Sequence, residues 1–153
     1  MQIVIGAIGR LRAGPEAALL EHFQKRITAW PVAVREFELK RKVAPERAAD
    51  AEGELLLSAV SDGAHVIVLD EAGKLATSAG LATDMGELQD GGIQTLVFLI
   101  GGADGHGDAV RARADRTIAF GRNTWPHLMM RAMLAEQIYR AQQIIARHPY
   151  HRA

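Results

Sequence analysis

Apolar residues along this chain fall into short continuous runs separated by stretches with helical spacing, and glycine, proline or clustered charge marks most joins. Gln2 to Ile8 reads as a strand ending at Gly9. Pro15 then opens a helix to about Ala29, with Leu19, Leu20, Phe23 and Ile27 at helical spacing. Proline is at ease in a first turn, where its missing N–H has no intrahelical partner. Trp30-Pro31 breaks that helix. Val32 to Leu39 mixes apolar and charged residues as a half-exposed edge strand would. The basic loop Lys40-Arg41-Lys42 leads to a second helix, Pro45 to about Ser61, with Leu55, Leu56, Ala59 and Val60 facing inward. After Asp62-Gly63 come the strand His65 to Asp70 and a polar turn, Glu71-Ala72-Gly73-Lys74. A third helix follows, capped by Thr77 or Ser78 and ended near Gly91-Gly92.

Leu96 to Ile100 is the most informative run. Five consecutive apolar residues predict a strand buried on both faces, the pattern of a central strand in a parallel sheet. It stops in four glycines among the seven residues Gly101 to Gly107. Glycine suits positions where a backbone takes positive φ or lets a ligand approach closely. A buried strand entering such a loop places a crevice at the carboxyl end of the sheet, where open α/β folds bind ligands. His106 or Asp108 begins a short helix, Arg116 to Phe120 forms a further strand, and Gly121 to Pro126 is a loop. The longest helix, about His127 to Arg147, closes the chain before a tail from Pro149 to Ala153. Strands and helices alternate throughout, without repeats or a linker. The expectation is therefore one α/β domain over residues 1–153, a mostly parallel sheet covered by helices on both faces.

The last helix carries apolar residues on more than one stripe. One stripe covers the sheet. A second, through Met130, Leu134, Ile138 or Ala141, and Ile145, would form a large apolar patch if left in water. A homodimer with this helix in its interface is the expected solution.

Composition narrows the class. With 153 residues and 48% hydrophobic content the chain can bury a proper core. No apolar run approaches the length of a membrane span, and the first residues enter a strand without a basic leader. Lacking cysteine, the chain has neither disulfides nor thiolate metal sites, and a cytoplasmic location is the expectation. A zero net charge argues against a general nucleic-acid coating protein, and no DNA partner is expected. It conceals an asymmetry, however. From Arg111 onward eight arginines face only Asp115 and Glu136, so the last third carries +6 and the rest −6. Arginine is suited to bidentate phosphate contact and to stacking on bases, so a local RNA or phosphate partner fits. Neither familiar phosphate signature is present: the glycine loop has no GxGxxG in register, and Gly73-Lys74 lacks the rest of a P-loop.

Five blocks in order carry a resemblance. They are Val68-Leu69-Asp70-Glu71-x-Gly73-Lys74, Ile100-Gly101-Gly102-Ala103-Asp104-Gly105, Thr124-Trp125-Pro126-His127, Glu136-Gln137-x-Tyr139-Arg140-Ala141 and His148-Pro149-Tyr150-His151-Arg152. Together they resemble the RlmH-type ribosomal RNA methyltransferases of the SPOUT class along the whole chain. The resemblance implies a SPOUT-like α/β knot with a C-terminal trefoil knot and a homodimer. It also implies S-adenosyl-L-methionine as cofactor and methylation of N3 of a pseudouridine in a stem-loop of 23S ribosomal RNA, in the large subunit or assembled ribosome. The cofactor segments it implies are Leu69, Gly101 and the run Phe120, Gly121, Arg122, Asn123, Thr124, Trp125. Asn123 stands where the family more often carries an apolar residue, and Trp125 where it has Leu or Phe. Because that run works mainly through main chain, a changed pocket shape is expected, with binding kept.

Residue chemistry adds roles. Leu69, Ile100, Phe120 and Trp125 could line an apolar slot for adenine. Attack by N3 requires loss of its proton, so a base or a cation beside the ring would help. The candidates are Arg131, Arg140, His148, Tyr150 and His151; Tyr150 could instead stack on an extruded base. Plainer readings stand beside these. His127 reads as a helix-start residue, Glu136 and Arg140 as an i, i+4 pair, and Asp104 as a turn cap. His148-x-x-His151 lacks a carboxylate or thiolate to complete a metal site, so none is expected. Two other functions remain compatible: a non-catalytic RNA- or ribosome-binding module, and a small α/β enzyme acting on a nucleotide metabolite.

Overall fold

In a computed structural model, which describes residues 1–150, five strands form one sheet with every neighbouring pair parallel. The strands are β1 (Gln2–Ile8), β2 (Val32–Phe37), β3 (His65–Leu75), β4 (Thr95–Ile100) and β5 (Arg116–Ala119), in the spatial order β2-β1-β4-β3-β5. The helices are α1 (Pro15–Arg26), α2 (Pro45–Leu57), α3 (Ser78–Asp90), α4 (Asp108–Arg113) and α5 (His127–Ile145).

Central β4 is buried along its whole length, as its unbroken apolar run requires. Alternation by two divides the core. Ile3, Ile5, Ile67, Leu69, Leu96, Phe98 and Ile100 pack under Leu81, Met85, Leu134 and Ile138 of α3 and α5. Val4, Ile8, Val66, Val68, Val97 and Leu99 pack under Leu56 of α2 and Val110 of α4. Each large side chain removed from water this way contributes about 1.5–3 kcal/mol. Edge strand β2 stays half-exposed, in line with its mixed sequence.

Three expectations are corrected. The polar stretch Glu71 to Lys74 is not a free turn. After a bulge, Lys74 and Leu75 resume the ladder against Ile118 and Ala119 of β5, and Leu69 pairs with the same Ile118 before the bulge. Gly73 is required there, because a Cβ would stand 2.7 Å from the Ile118 carbonyl carbon. The first helix ends at Arg26, short of Ala29, since Ile27 is already extended and buried. Finally, the stripe of α5 assigned to a dimer interface is largely unavailable: Leu134, Ile138 and Ala141 are wholly buried within one chain. Helix α5 lies against both α1 and α3, so more of its circumference is covered than one sheet face requires. Exposed large apolar side chains that remain include Leu19, Met129 and Ile145.

After β5 the chain crosses the carboxyl ends of the sheet through residues 120–126 and reaches His127, beside Gly9 at the end of β1. That return of the chain from one side of the sheet toward the other is consistent with the knotted fold. No helix among the described residues is long and apolar enough to cross a membrane.

Candidate active site

Parallel strands place all their carboxyl ends on one rim, and three chain segments there enclose a cavity of about 670 Å³. They are residues 69–71 after the regular part of β3, the glycine loop 100–106 after β4, and residues 118–127 leading into α5. The volume falls within the roughly 300–1,000 Å³ usual for small-molecule sites. A more open depression of about 520 Å³ lies between α1 and β2 at the edge of the sheet, away from the glycine loop.

The glycine loop is folded on itself. Gly105, at φ 75°, brings its N–H back to the Gly102 carbonyl, and a Cβ on Gly101 would meet the Gly105 carbonyl oxygen at 2.6 Å. The third segment is fastened to β3 by side chains. Arg122 donates to the carbonyls of Glu71 and Gly73 at 2.8 and 3.1 Å, and Thr124 donates to the Glu71 carboxylate at 3.0 Å. The Trp125 indole N–H closes the loop on the Phe120 carbonyl at 3.1 Å.

Of the sequence-stated pocket residues, Leu69, Gly101, Phe120, Gly121, Asn123, Thr124 and Trp125 line this cavity together. Arg122 does not; its guanidinium is the tie just described. The wall also holds residues that sequence reasoning did not assign to it: Asp70, Glu71, Asp104, Arg111, His106, His127 and Met130. His106 is 5% exposed and sits 3.0 Å from the Leu69 carbonyl. A carbonyl only accepts, so Nε2 carries the proton, and Nδ1 is left a buried acceptor without a partner. Burial holds its pKa below the ordinary imidazole value, and the Arg111 charge adds to this against the Leu69 bond and Asp70. His127 is likewise held low, first by burial and then by the neighbouring Arg131 charge. Both imidazoles are therefore neutral near pH 7. The spacing of His127 from Pro126 signalled only a helix start; its second place, on the pocket wall, follows from a crossing that one-dimensional pattern does not show.

The proposed reaction residues lie elsewhere. Arg131 is wholly buried. It donates to the Ile8 carbonyl, to the Gly9 carbonyl at 2.7 Å and to Glu36 at 2.9 Å, so it ties α5 to the ends of β1 and β2 and does not line the cavity. Arg140 holds Glu136 through two bonds of 2.9 and 2.5 Å, the pair anticipated from their spacing. The same carboxylate accepts from Gln137 and from the Tyr150 hydroxyl at 3.1 Å. Tyr150 packs edge-on against Tyr139 at 4.8 Å, with the Arg140 guanidinium over its ring. Hydrogen bonding to Glu136 keeps Arg140 cationic, and burial, reinforced by Glu136, pushes the Tyr150 phenol up. The exposed His148 accepts the Tyr150 N–H on Nδ1 at 3.1 Å. His151 lies outside the described residues. From His127 to Arg140 is thirteen residues of α5, a rise of about 20 Å, so within one chain this cluster and the cavity are separate. Among the described residues no group of three or more His, Asp or Glu is placed to hold a metal.

Residues 1–151 match the family model described as Predicted SPOUT methyltransferase. Curated relatives named Ribosomal RNA large subunit methyltransferase H align end to end. That of Paramagnetospirillum magneticum is 47% identical over 99% of both chains. Those of Rhodospirillum centenum and Rhodospirillum rubrum are 47% and 44% identical over the full length of each.

Proposed function

Because the chain belongs to the SPOUT methyltransferase family, and is accordingly a methyl-transferring enzyme, we propose that it methylates N3 of a pseudouridine in a stem-loop of 23S ribosomal RNA. The methyl donor in this reading is S-adenosylmethionine, the working form a homodimer and the site of action the cytoplasm. The observation that carries it is the cavity closed by three main-chain segments at the carboxyl rim of the sheet.

The residues present fit this donor. Leu69, Ile100, Phe120 and Trp125 offer apolar walls for a purine, and Gly101, whose Cβ would meet the Gly105 carbonyl oxygen, leaves this part of the wall to main chain. The unpartnered Nδ1 of His106 leaves the pocket wall short of one N–H donor. Asp70, Glu71 and Asp104 outnumber Arg111, the one cation among the lining residues, and favour a ligand carrying positive charge. When bound, S-adenosylmethionine supplies an electrophilic methyl group on a sulfonium.

The chain's own residues then have to hold the acceptor in line and manage its N3 proton. Neutral His127 is the proton acceptor placed at the cavity wall. Arg140, fixed by Glu136, is a cation suited to stabilise an anionic ring; Tyr150, kept protonated, offers an aromatic face and a hydroxyl donor. His148 and His151 belong to the same tail. About 20 Å along α5 separates that cluster from its own cavity, so a second copy presenting its tail is the arrangement that brings the two together.

Isothermal titration calorimetry with S-adenosylmethionine, followed by mass spectrometry of 23S rRNA extracted from a deletion strain's large subunits and assembled ribosomes before and after incubation of those particles with the purified protein, tests the reading. Cofactor binding and a gain of one methyl on a pseudouridine are expected. No heat at millimolar cofactor, or an unmodified RNA, would overturn it.

A further inference from the structure

Among the described residues the arginines of the last third do not form a free cationic face. Arg111 is paired with Asp70, Arg113 with Asp115, Arg116 with Asp84, Arg131 with Glu36 and Arg140 with Glu136, while Arg122 is held by two carbonyls. Five of the eight arginines thus tie different segments of the fold together, and Arg140 is held within α5. Cations without an ion-pair partner among the described residues lie mainly in the first half of the chain. The densest set is Lys40, Arg41 and Lys42, consecutive and all exposed in the loop between β2 and α2. Acidic neighbours in sequence are Glu38, which pairs with Arg10, and Glu46 in the first turn of α2.

Position makes this loop more than a solvated turn. It leaves the carboxyl end of β2, hence the same rim as the cavity. The Phe37 carbonyl accepts the Gly9 N–H at 2.7 Å. The imidazole of His127, itself on the cavity wall, lies 3.3 Å from where a Gly9 Cβ would stand. Contact therefore runs from the cavity to Phe37 at the end of β2, three residues before Lys40, and the ends of β4 and β2 are two strand spacings apart, about 10 Å. The exposed Arg12 lies in the β1–α1 loop on the same rim.

We infer that the loop Lys40-Arg41-Lys42 is the anchor for the phosphate backbone of the substrate RNA, holding the stem while the target base enters the cavity. This rests on the rRNA reading above and extends it to a named surface. Such contacts position an RNA without reading its sequence, and each neutralised phosphate steepens the salt dependence of binding.

The test compares the full-length protein with Lys40→Gln/Arg41→Gln/Lys42→Gln. Binding of the fluorescently labelled protein to large subunits and to assembled ribosomes from a deletion strain is titrated from about 50 to 300 mM salt, and methyl transfer to each is measured in parallel. Three lost phosphate contacts should flatten the log–log salt slope by about 2–3 and weaken binding at least ~10-fold at about 150 mM salt. Cofactor affinity should hold, and the loss in transfer should fall on KM. A variant matching the wild type in affinity and slope, while the wild type binds and methylates RNA, overturns the anchor and leaves the function standing. If the wild type binds RNA but transfers no methyl, and the variant loses that binding, the anchor is supported and the function reading fails. A wild type that binds no RNA overturns both.

Discussion

Two adjacent glycines should respond very differently to a single methyl group. A Cβ on Gly101 would stand 2.6 Å from the Gly105 carbonyl oxygen and 3.0 Å from its carbon, both main-chain atoms of the same tight loop. Reaching ordinary van der Waals contact at 3.4 Å means opening that loop by 0.8 Å. The loop cannot yield by rotating a side chain, so Gly101→Ala behaves as overpacking, at about 1–3 kcal/mol. Carried into binding, about 1–3 kcal/mol corresponds to roughly 5- to 160-fold in Kd. We expect the Kd for S-adenosylmethionine to rise about 10- to 100-fold, with Tm lower by roughly 2–4 °C per kcal/mol. A Cβ on Gly102 meets the Glu52 carboxylate at 2.5 Å instead. That Oε2 atom has no hydrogen-bond partner, and burial beside Asp104 already disfavours the Glu52 charge. Swinging it aside forfeits nothing, so Gly102→Ala should change Kd less than about 3-fold, well under one factor of ten in free-energy terms. Calorimetry on both variants with thermal denaturation alongside reads the contrast. Equal Kd values for the two, or wild-type affinity in Gly101→Ala, would refute the claim that a rigid main-chain turn shapes the pocket.

Arg131→Met should lower stability by about 2–4 kcal/mol by leaving the Ile8 and Gly9 carbonyls without their donor, seen as a Tm drop of roughly 4–16 °C; an unchanged Tm with lost turnover would instead assign Arg131 to the reaction. His106 and His127 both have folded pKa values below 6.5. The unfolded chain takes up their protons first, so their contribution to stability is complete above about pH 6.5 and is lost as pH falls through the lower folded values. Urea denaturation from pH 7.5 to about 5.5 should show that decline, with a flatter profile in His106→Leu. Deleting Pro149 to Ala153, or making Tyr150→Ala, should leave calorimetric cofactor affinity intact and abolish methyl transfer; a truncation that binds no cofactor would make the tail structural.

Elements whose burial is written locally were readable before any coordinates. β4 needs only its own apolar residues to announce a two-sided core strand, and Pro15, Pro45 and Thr77 mark three helix starts through local chemistry. Residues 71–75 were not readable, because their strand character comes from β5, more than forty residues later, and Gly73 is there to let that backbone approach. The same distinction separates the pocket residues. Leu69, Gly101 and Phe120 sit at the ends of recognisable strands, whereas His127 joins them only because the chain crosses the rim between β5 and α5.

Charge and hydrophobicity show the limit most clearly. A count along the chain sees eight arginines and a helix apolar on two sides, and both patterns invite a surface partner. Whether a cation faces water depends on carboxylates brought up by other elements: Asp84 from α3 reaches Arg116 on β5, and Glu36 from β2 reaches Arg131 on α5. Likewise Leu134 and Ile138 are wholly buried because α5 sits against α1 and α3 as well as the sheet. Net charge is a property of the composition, but available charge is a property of the pairing. Once pairs are removed, the densest unpaired set of cations among the described residues moves from the last third to residues 40–42, in the loop that leaves the rim bearing the cavity. A charge-reversing substitution at Arg116 should therefore act through stability, and one at Lys42 through RNA affinity and its salt dependence.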